Sequence, residues 1–255
     1  MTALLDVTGI KVVYGGVVAV DDVSFNVPEG RVVGLIGPNG AGKTSLIDAL
    51  TGYHRPAAGH VQFGGEDVTA AKAHRLSRMG LARTFQSIEL FDDLTVEENL
   101  LVASERIGVL RALRDLVLPL RQPARQAVDW ALEVCGLGPV AKRLPSELSH
   151  GQRKLVGVAR ALAGRPRLVL LDEPAAGLDT DESLELARHL RSMPEHGVTV
   201  VLVDHDMALV LSACDHVLVL DFGRLIADGS PTEIRENALV VDAYLGSHAG
   251  SHASA

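Results

Sequence analysis

Short apolar runs, punctuated by glycine and proline, set the rhythm of this chain. Val32-Val33-Gly34-Leu35-Ile36, Leu168 to Leu171, Val198 to Val203 and Val217 to Leu220 are continuous and too short for helices. Such runs predict strands buried on both faces, as in a parallel sheet. Val23, Phe25 and Val27 alternate with polar residues up to the Pro28-Glu29-Gly30 turn. With Leu4 to Tyr14 they predict a small antiparallel sheet. Gly59 to Phe63 reads as a short strand before a Gly64-Gly65 turn. Ala71 to Met79 reads as a helix with Arg75 and Arg78 outward, and Leu81 to Phe85 as a further strand.

From about Thr95 to Gly164 the pattern becomes helical throughout. Thr95-Val96-Glu97-Glu98 is a capping box that opens one helix. Pro123 and Gly136 bracket another, with Val128, Ala131, Leu132 and Cys135 on one face. Ser149 caps a third, which Gly164 ends. Strand Leu168 to Leu171, helix Glu182 to Arg191 and the two later strands restore the alternation, and Ser230-Pro231-Thr232-Glu233 is a second capping box. The expected organisation is an α/β domain over residues 4–245, interrupted by a helical insert at about 95–160. Residues 246–255, where Gly-Ser-His-Ala recurs, are expected to form a disordered tail. His248 and His252 in that tail could bind metal, but a solvated tail is the simpler expectation.

Composition narrows the class. The 255 residues are 47% hydrophobic and only 4% aromatic, so the core must be aliphatic. A net charge of −8 without a basic block argues against nucleic acid as a partner. Cys135 and Cys214 lie far apart without metal spacing and read as buried thiols in a reducing compartment. Met1-Thr2-Ala3 leads straight into a strand-like run, so no signal peptide is expected. No apolar run reaches about 18 residues; Met207 to Leu220 is broken by Asp215 and His216. Any membrane role is therefore expected to be peripheral.

The candidate chemistry begins at Gly37-Pro38-Asn39-Gly40-Ala41-Gly42-Lys43-Thr44-Ser45, between a strand and a helix. This is the context in which G-x-x-x-x-G-K-[ST] cradles phosphates. Glycines let successive N–H groups converge on an anion, and the helix N-terminus adds partial positive charge. Lys43 is placed to reach the β- and γ-phosphates, and Thr44 to put its hydroxyl on Mg²⁺. The strand Leu168 to Leu171 ends in Asp172-Glu173. At the C-terminal end of a parallel strand these carboxylates face the crevice where ligands bind. Asp172 is placed to hold Mg²⁺ through water, and Glu173 to polarise the water that attacks a γ-phosphate. His205 follows another buried strand, where it can donate to a γ-phosphate oxygen or be satisfied by backbone. Gln86 ends its strand where an amide could reach Mg²⁺ or the attacking water. Leu148-Ser149-His150-Gly151-Gln152 precedes a helix and forms a second anion clamp. Either the fold closes on itself or this clamp serves another subunit's nucleotide.

This set resembles the ATP-binding subunit of an ABC transporter. The phosphate loop, Gln86 (the Q-loop), Leu148 to Gln152 (the signature), Leu168 to Glu173 (Walker B), Ala176-Gly177-Leu178-Asp179 (the D-loop) and His205 (the switch histidine) occur in the family's order. The resemblance spans residues 4 to 245. It implies a P-loop NTPase cassette with a RecA-like core, a small antiparallel β subdomain and a helical insert. It also implies Tyr14 stacked on adenine, with Ser149, Gly151 and Gln152 completing the opposite subunit's site. Ala82-Arg83-Thr84-Phe85-Gln86, Glu173-Pro174-Ala175-Ala176-Gly177-Leu178, Asp204-His205-Asp206-Met207 and Ala243-Tyr244-Leu245-Gly246 look closest to importers of branched-chain amino acids. His150 stands where the wider family has Gly and this group commonly Tyr. Asp204 replaces a usual Glu, and Ser45 a common Thr.

The resemblance implies an ATPase with ATP and Mg²⁺ as cofactors. Implied partners are a second copy or a second ATPase subunit, membrane permeases and a separate solute-binding protein. The implied location is cytoplasmic, peripheral on the inner face of the cell membrane. Urea, amides or other small solutes remain open as cargo. A soluble ABC ATPase acting on ribosomes or DNA usually carries two cassettes, coiled-coil arms or basic extensions, and this sequence has none. A regulator without turnover is disfavoured by Glu173 and His205. The basic amphipathic stretch Ile107 to Arg125 could meet lipid headgroups or the permease, or simply cover the insert.

Overall fold

The computed structural model describes residues 3–85, 89–104 and 122–249. The strands are β1 (Ala3–Tyr14), β2 (Val17–Pro28), β3 (Val32–Ile36), β4 (Ala58–Phe63), β5 (Glu66–Asp67), β6 (Leu81–Arg83), β7 (Leu168–Asp172), β8 (Thr199–Val203), β9 (His216–Asp221) and β10 (Arg224–Gly229). The helices are α1 (Lys43–Leu50), α2 (Ala73–Met79), α3 (Val96–Ser104), α4 (Gln122–Val134), α5 (His150–Leu162), α6 (Thr180–Ser192), α7 (Met207–Ala213), α8 (Pro231–Glu236) and α9 (Ala238–Ala249).

The continuous apolar runs form one mixed sheet in the order β10-β9-β3-β8-β7-β6, parallel except for β10. Both faces are covered, which is why polar residues do not interrupt these strands. Val33, Leu35, Leu168, Leu170, Val201 and Val203 face a core shared with the second sheet and α1. Val32, Ile36, Val169, Leu171, Val200 and Leu202 face the opposite core, which also takes in Leu100, Leu132, Leu155 and Leu162 of the helical insert. The insert thus shares one core with the sheet. The second sheet, β2-β1-β4-β5, is antiparallel as its alternating pattern predicted. Tyr14 pairs with Val17 across Gly15-Gly16, both at positive φ, a two-residue hairpin that holds Tyr14 at the sheet's end.

Several expectations need correction. β6 stops at Arg83, not Phe85, although the Thr84 N–H still donates to the Leu170 carbonyl at 2.9 Å. α6 starts at Thr180, not Glu182, because Asp179 caps it by accepting the Glu182 N–H at 2.9 Å. The apolar stretch Met207 to Leu220 is broken as expected, with α7 ending at Ala213 and β9 starting at His216. Neither β10 nor α9 was anticipated. α9 runs through Ala249, so residues 246–249 of the expected disordered tail are helical. Composition alone misjudged them: once a helix is nucleated further back, each added residue forms a bond without a new nucleus. Residues 250–255 lie outside the described residues.

Most of the amphipathic stretch, residues 107–121, also lies outside the described residues. Its last residue, Arg125 of α4, is on the surface 3.8 Å from Glu97 of α3. Cys135 and Cys214 are buried free thiols whose ionisation burial pushes up to about 12. No helix among the described residues is long and apolar enough to cross a membrane.

Candidate active site

The phosphate loop leaves the sheet at the C-terminal end of β3. Glycine is required at two of its positions. Gly37 has φ +154°, and a Cβ there would lie 2.0 Å from the Leu220 carbonyl oxygen. Gly42 has φ +100°, and its Cβ would lie 2.4 Å from the Ala19 carbonyl oxygen. Gly42 is the N-cap of α1 without any side-chain cap. The first-turn N–H groups, those of Lys43, Thr44 and Ser45 included, lack intrahelical acceptors and are available to an anion. Within the loop the Ala41 N–H donates to the Pro38 carbonyl at 3.1 Å, while Asn39 and Gly40 are exposed. Lys43 is buried, and its Nζ donates to the Gly37 and Pro38 carbonyls at 2.7 and 3.0 Å. Burial holds its ammonium below the usual lysine range, opposed by the charges of Glu173, Asp172 and Asp204. The fold therefore brings these three carboxylates to the loop from two separate strands.

Asp172 ends β7 with its side chain 14% exposed. Arg83, at the end of β6, places Nη2 3.1 Å from Asp172 Oδ2 and Nη1 2.6 Å from Asp48 Oδ1 on α1. Thr51 Oγ1 accepts a third bond from it at 3.2 Å, and the rings of Tyr53 and Phe85 flank the guanidinium. A buried arginine thus joins the helix of the phosphate loop to the carboxylate at its mouth. Asp172 already takes a cation here, and Thr44 is exposed at the start of α1. These oxygens fit Mg²⁺, which draws on one or two protein oxygens plus substrate phosphates. Among the described residues no group of three or more His, Cys, Asp or Glu could hold a metal without a nucleotide.

Glu173 sits at φ +46°, a left-handed conformation that a non-glycine residue adopts only when its surroundings impose it. Its N–H donates to the Val203 carbonyl at 2.7 Å. His205 Nδ1 lies 3.9 Å from Glu173 Oε1 and 3.5 Å from Asp204 Oδ1. Asp204 is fully buried and accepts N–H bonds from His205, Asp206 and Ala175 at 2.8, 3.0 and 3.3 Å. It ties the loop carrying His205 to the loop carrying Glu173. Lys154 of α5 is buried near the same charges; burial lowers its ionisation, opposed by Asp204 and Glu173. Gln86 lies outside the described residues. Thr84 and Phe85, just before it, line a cavity of about 440 Å³ with Arg83, Lys154, Asp172 and Glu173. Tyr14 is 41% exposed, with the His54 ring 4.3 Å away.

Arg83, Asp204, Lys154 and His54 were not singled out for their chemistry in the sequence. Arg83 carried no signal of its partners, because the strand was expected to run through it to Phe85. Lys154 and His54 carried none.

The second clamp stands at the start of α5. Ser149 Oγ accepts the Gln152 N–H at 3.2 Å, and Gln152 Oε1 accepts the Ser149 N–H at 3.1 Å. The Gly151 N–H donates to Glu182 Oε1 on α6 at 2.8 Å. The exposed His150 ring lies beside Gly177 of the D-loop segment.

An ABC transporter family model matches residues 20–176, from β2 to just past the carboxylate pair. The chain belongs to the ABC transporter ATP-binding family. It is an ABC ATPase that binds and hydrolyses nucleotide. A second model, of branched-chain amino acid ATP-binding cassette transporters, matches residues 224–250, spanning β10 to α9. The high-affinity branched-chain amino acid transport ATP-binding protein BraF of Pseudomonas aeruginosa is 42% identical over 95% of this chain and 98% of its own length. LivG of Escherichia coli, named for the same transport, is 38% identical over the same shares. A lipopolysaccharide export ATP-binding protein, LptB of Acidithiobacillus ferridurans, is 35% identical over 96% of this chain and 98% of its own length. Among solved structures, an ABC transporter cassette in its ADP conformation superposes with a TM-score of 0.85 at 31% identity, covering 96% of this chain and all of that one.

Proposed function

We propose that this ABC ATPase is the motor subunit of an importer for branched-chain or chemically related amino acids. The match at the C-terminal end carries the cargo reading. β10 to α9 fits the branched-chain subgroup's own model, and the BraF and LivG likenesses run the length of the chain. α9 also reaches the nucleotide site. Its Tyr244 lies against Gly37, where burial pushes the hydroxyl up to about 12 and the Gly37 backbone opposes the shift. LptB, a cassette of similar sequence, is named for lipopolysaccharide export; in this reading other subunits recognise the solute.

In this reading Tyr14 stacks on adenine, and Gly37 to Ser45 hold the phosphates with Lys43 on the β- and γ-groups. Thr44, Asp172 and Gln86 hold Mg²⁺, which supplies charge neutralisation on the phosphates when bound. Glu173 polarises the attacking water, held in place through the Asp204 bonds, and His205 donates to the γ-phosphate. Ser149, Gly151 and Gln152 clamp the nucleotide of a second ATPase subunit, identical or homologous. The subunit works on the cytoplasmic face of the membrane, docked on permeases that receive solute from a binding protein.

Pull-down from membranes in mild detergent tests the assignment. Recovery of permease subunits, and ATP-dependent uptake of leucine, isoleucine or valine after reconstitution, are the expected results. Recovery of ribosomes or DNA, or uptake of urea or amides but not of these amino acids, would overturn it.

A further inference from the structure

The Gly151 N–H is a single donor, and in this structure a carboxylate of the same chain already occupies it. Glu182 Oε1 accepts it at 2.8 Å. The fit is close. A Cβ on residue 151 would lie 3.1 to 3.2 Å from Oε1, Cδ and Cγ of Glu182. Glycine at 151 therefore lets a carboxylate lie directly against the backbone at the mouth of α5. Glu182 is held from its own side as well. Its N–H is bonded to Asp179, which caps α6 directly after the D-loop segment.

A carboxylate at the N-terminal end of a 13-residue helix satisfies the same partial charge that a phosphate would. It also offers the same kind of acceptor, an anionic oxygen. We propose that Glu182 stands in for the γ-phosphate in the empty subunit and is thereby a specificity-determining residue for closure. This rests on the reading that two subunits sandwich ATP. A γ-phosphate presented by the other subunit must take the Gly151 N–H from Glu182 and turn the carboxylate aside. An anion of low charge fails that competition, and a terminal phosphate on Mg·ATP wins it. Glu182 thus raises the threshold for closure and makes the third phosphate decisive. The same displacement releases a bond between α5 and α6, so closure at one site is felt at the start of the helix that follows the D-loop.

The test compares Glu173→Gln with Glu173→Gln/Glu182→Gln by sedimentation across an ATP series. Glutamine keeps an acceptor of the same shape but loses the charge that makes the bond roughly twice as strong. The double variant is expected to reach half dimer at about three- to tenfold lower ATP. Glu182→Asp, which withdraws the carboxylate by one methylene, is expected to shift it the same way and covers the case in which glutamine perturbs folding. Without nucleotide, the Gly151 amide proton signal should move upfield in both. A fold lesion would weaken the dimer, so the direction separates the two explanations. Unchanged or weaker dimerisation, in variants whose parent dimerises with ATP, overturns the role of Glu182 alone. A Glu173→Gln parent that stays monomeric at saturating ATP overturns the sandwich itself, and this inference with it.

Discussion

The chain carries two candidate anion clamps, and they are finished in opposite ways. At α1 the N-cap is Gly42, no side chain closes the helix, and a buried lysine stands inside the loop. At α5 a serine and a glutamine cap each other, and a glutamate takes the Gly151 amide. The nearby cations of α5 are engaged elsewhere: Arg153 lies 3.9 Å from Asp92, and Lys154 lines the cavity with Asp172 and Glu173. The first clamp is a loop with its own cation and no side-chain cap on its helix. The second is a donor surface whose Gly151 and Gln152 N–H groups are already taken within the subunit. A helix N-terminus is therefore not by itself a nucleotide site. What surrounds its free N–H groups decides whether it waits for a ligand or has been capped.

The largest expected effect breaks the chemistry at the first clamp and leaves its donors alone. Glu173→Gln should lower ATP turnover by on the order of 10²–10⁴, the usual contribution of a well-placed general base. Mg·ATP affinity should stay near that of the parent, measured by nucleotide fluorescence beside steady-state hydrolysis. Turnover at the parent rate would move the catalytic role away from Glu173.

Arg83 sharpens the comparison next, because it braces the first clamp and the second has no equivalent. Arg83→Gln removes the cation between Asp48 and Asp172 and leaves two partly buried carboxylates unpaired. Losing one partner of a buried ion pair costs about 3 kcal/mol, which urea unfolding would register. A loss below about 1 kcal/mol, the range of surface pairs, would show that the strut contributes little.

A smaller effect separates the two clamps directly. Ser149→Ala removes a helix cap worth about 1 kcal/mol. It should weaken the ATP-dependent dimer of Glu173→Gln while leaving ATP binding to the monomer unchanged. Reduced ATP affinity in the monomer would mean that the second clamp serves its own subunit.

A comparably modest change is expected at the rim of the first clamp. Tyr14→Ala should weaken ATP binding several-fold, in line with about 1–3 kcal/mol for aromatic stacking on a base. Tyr14→Phe should not, and GTP should compete because stacking tolerates any base. Equal ATP affinity in Tyr14→Ala would leave the adenine to another platform, with the neighbouring His54 ring the first to examine.

Local pattern was enough for much of this protein. Strands buried on two faces announce themselves as unbroken apolar runs, because no position along them meets water. The capping boxes at Thr95 and Ser230 and the serine cap at Ser149 formed as their sequences predicted, since each is a bond between residues three apart. The glycine-rich loop between β3 and α1 is equally local, and so is its steric demand for Gly37 and Gly42. Tertiary structure alone decided what meets across the fold. Arg83 finds Asp48 and Asp172 at separations of 35 and 89 residues, and Gly151 finds Glu182 at 31. The parallel order β3-β8-β7 is what delivers Asp172, Glu173 and Asp204 to Lys43 from separate stretches of chain. α9 escaped the sequence for the same reason: its amino acids are ordinary, and only tertiary packing sets Tyr244 against the core and Gly37. Hydrogen bonds between neighbours are written in residue spacing. Charges that meet through strand order have no spacing to read, because the sheet, not the sequence interval, sets the distance between them.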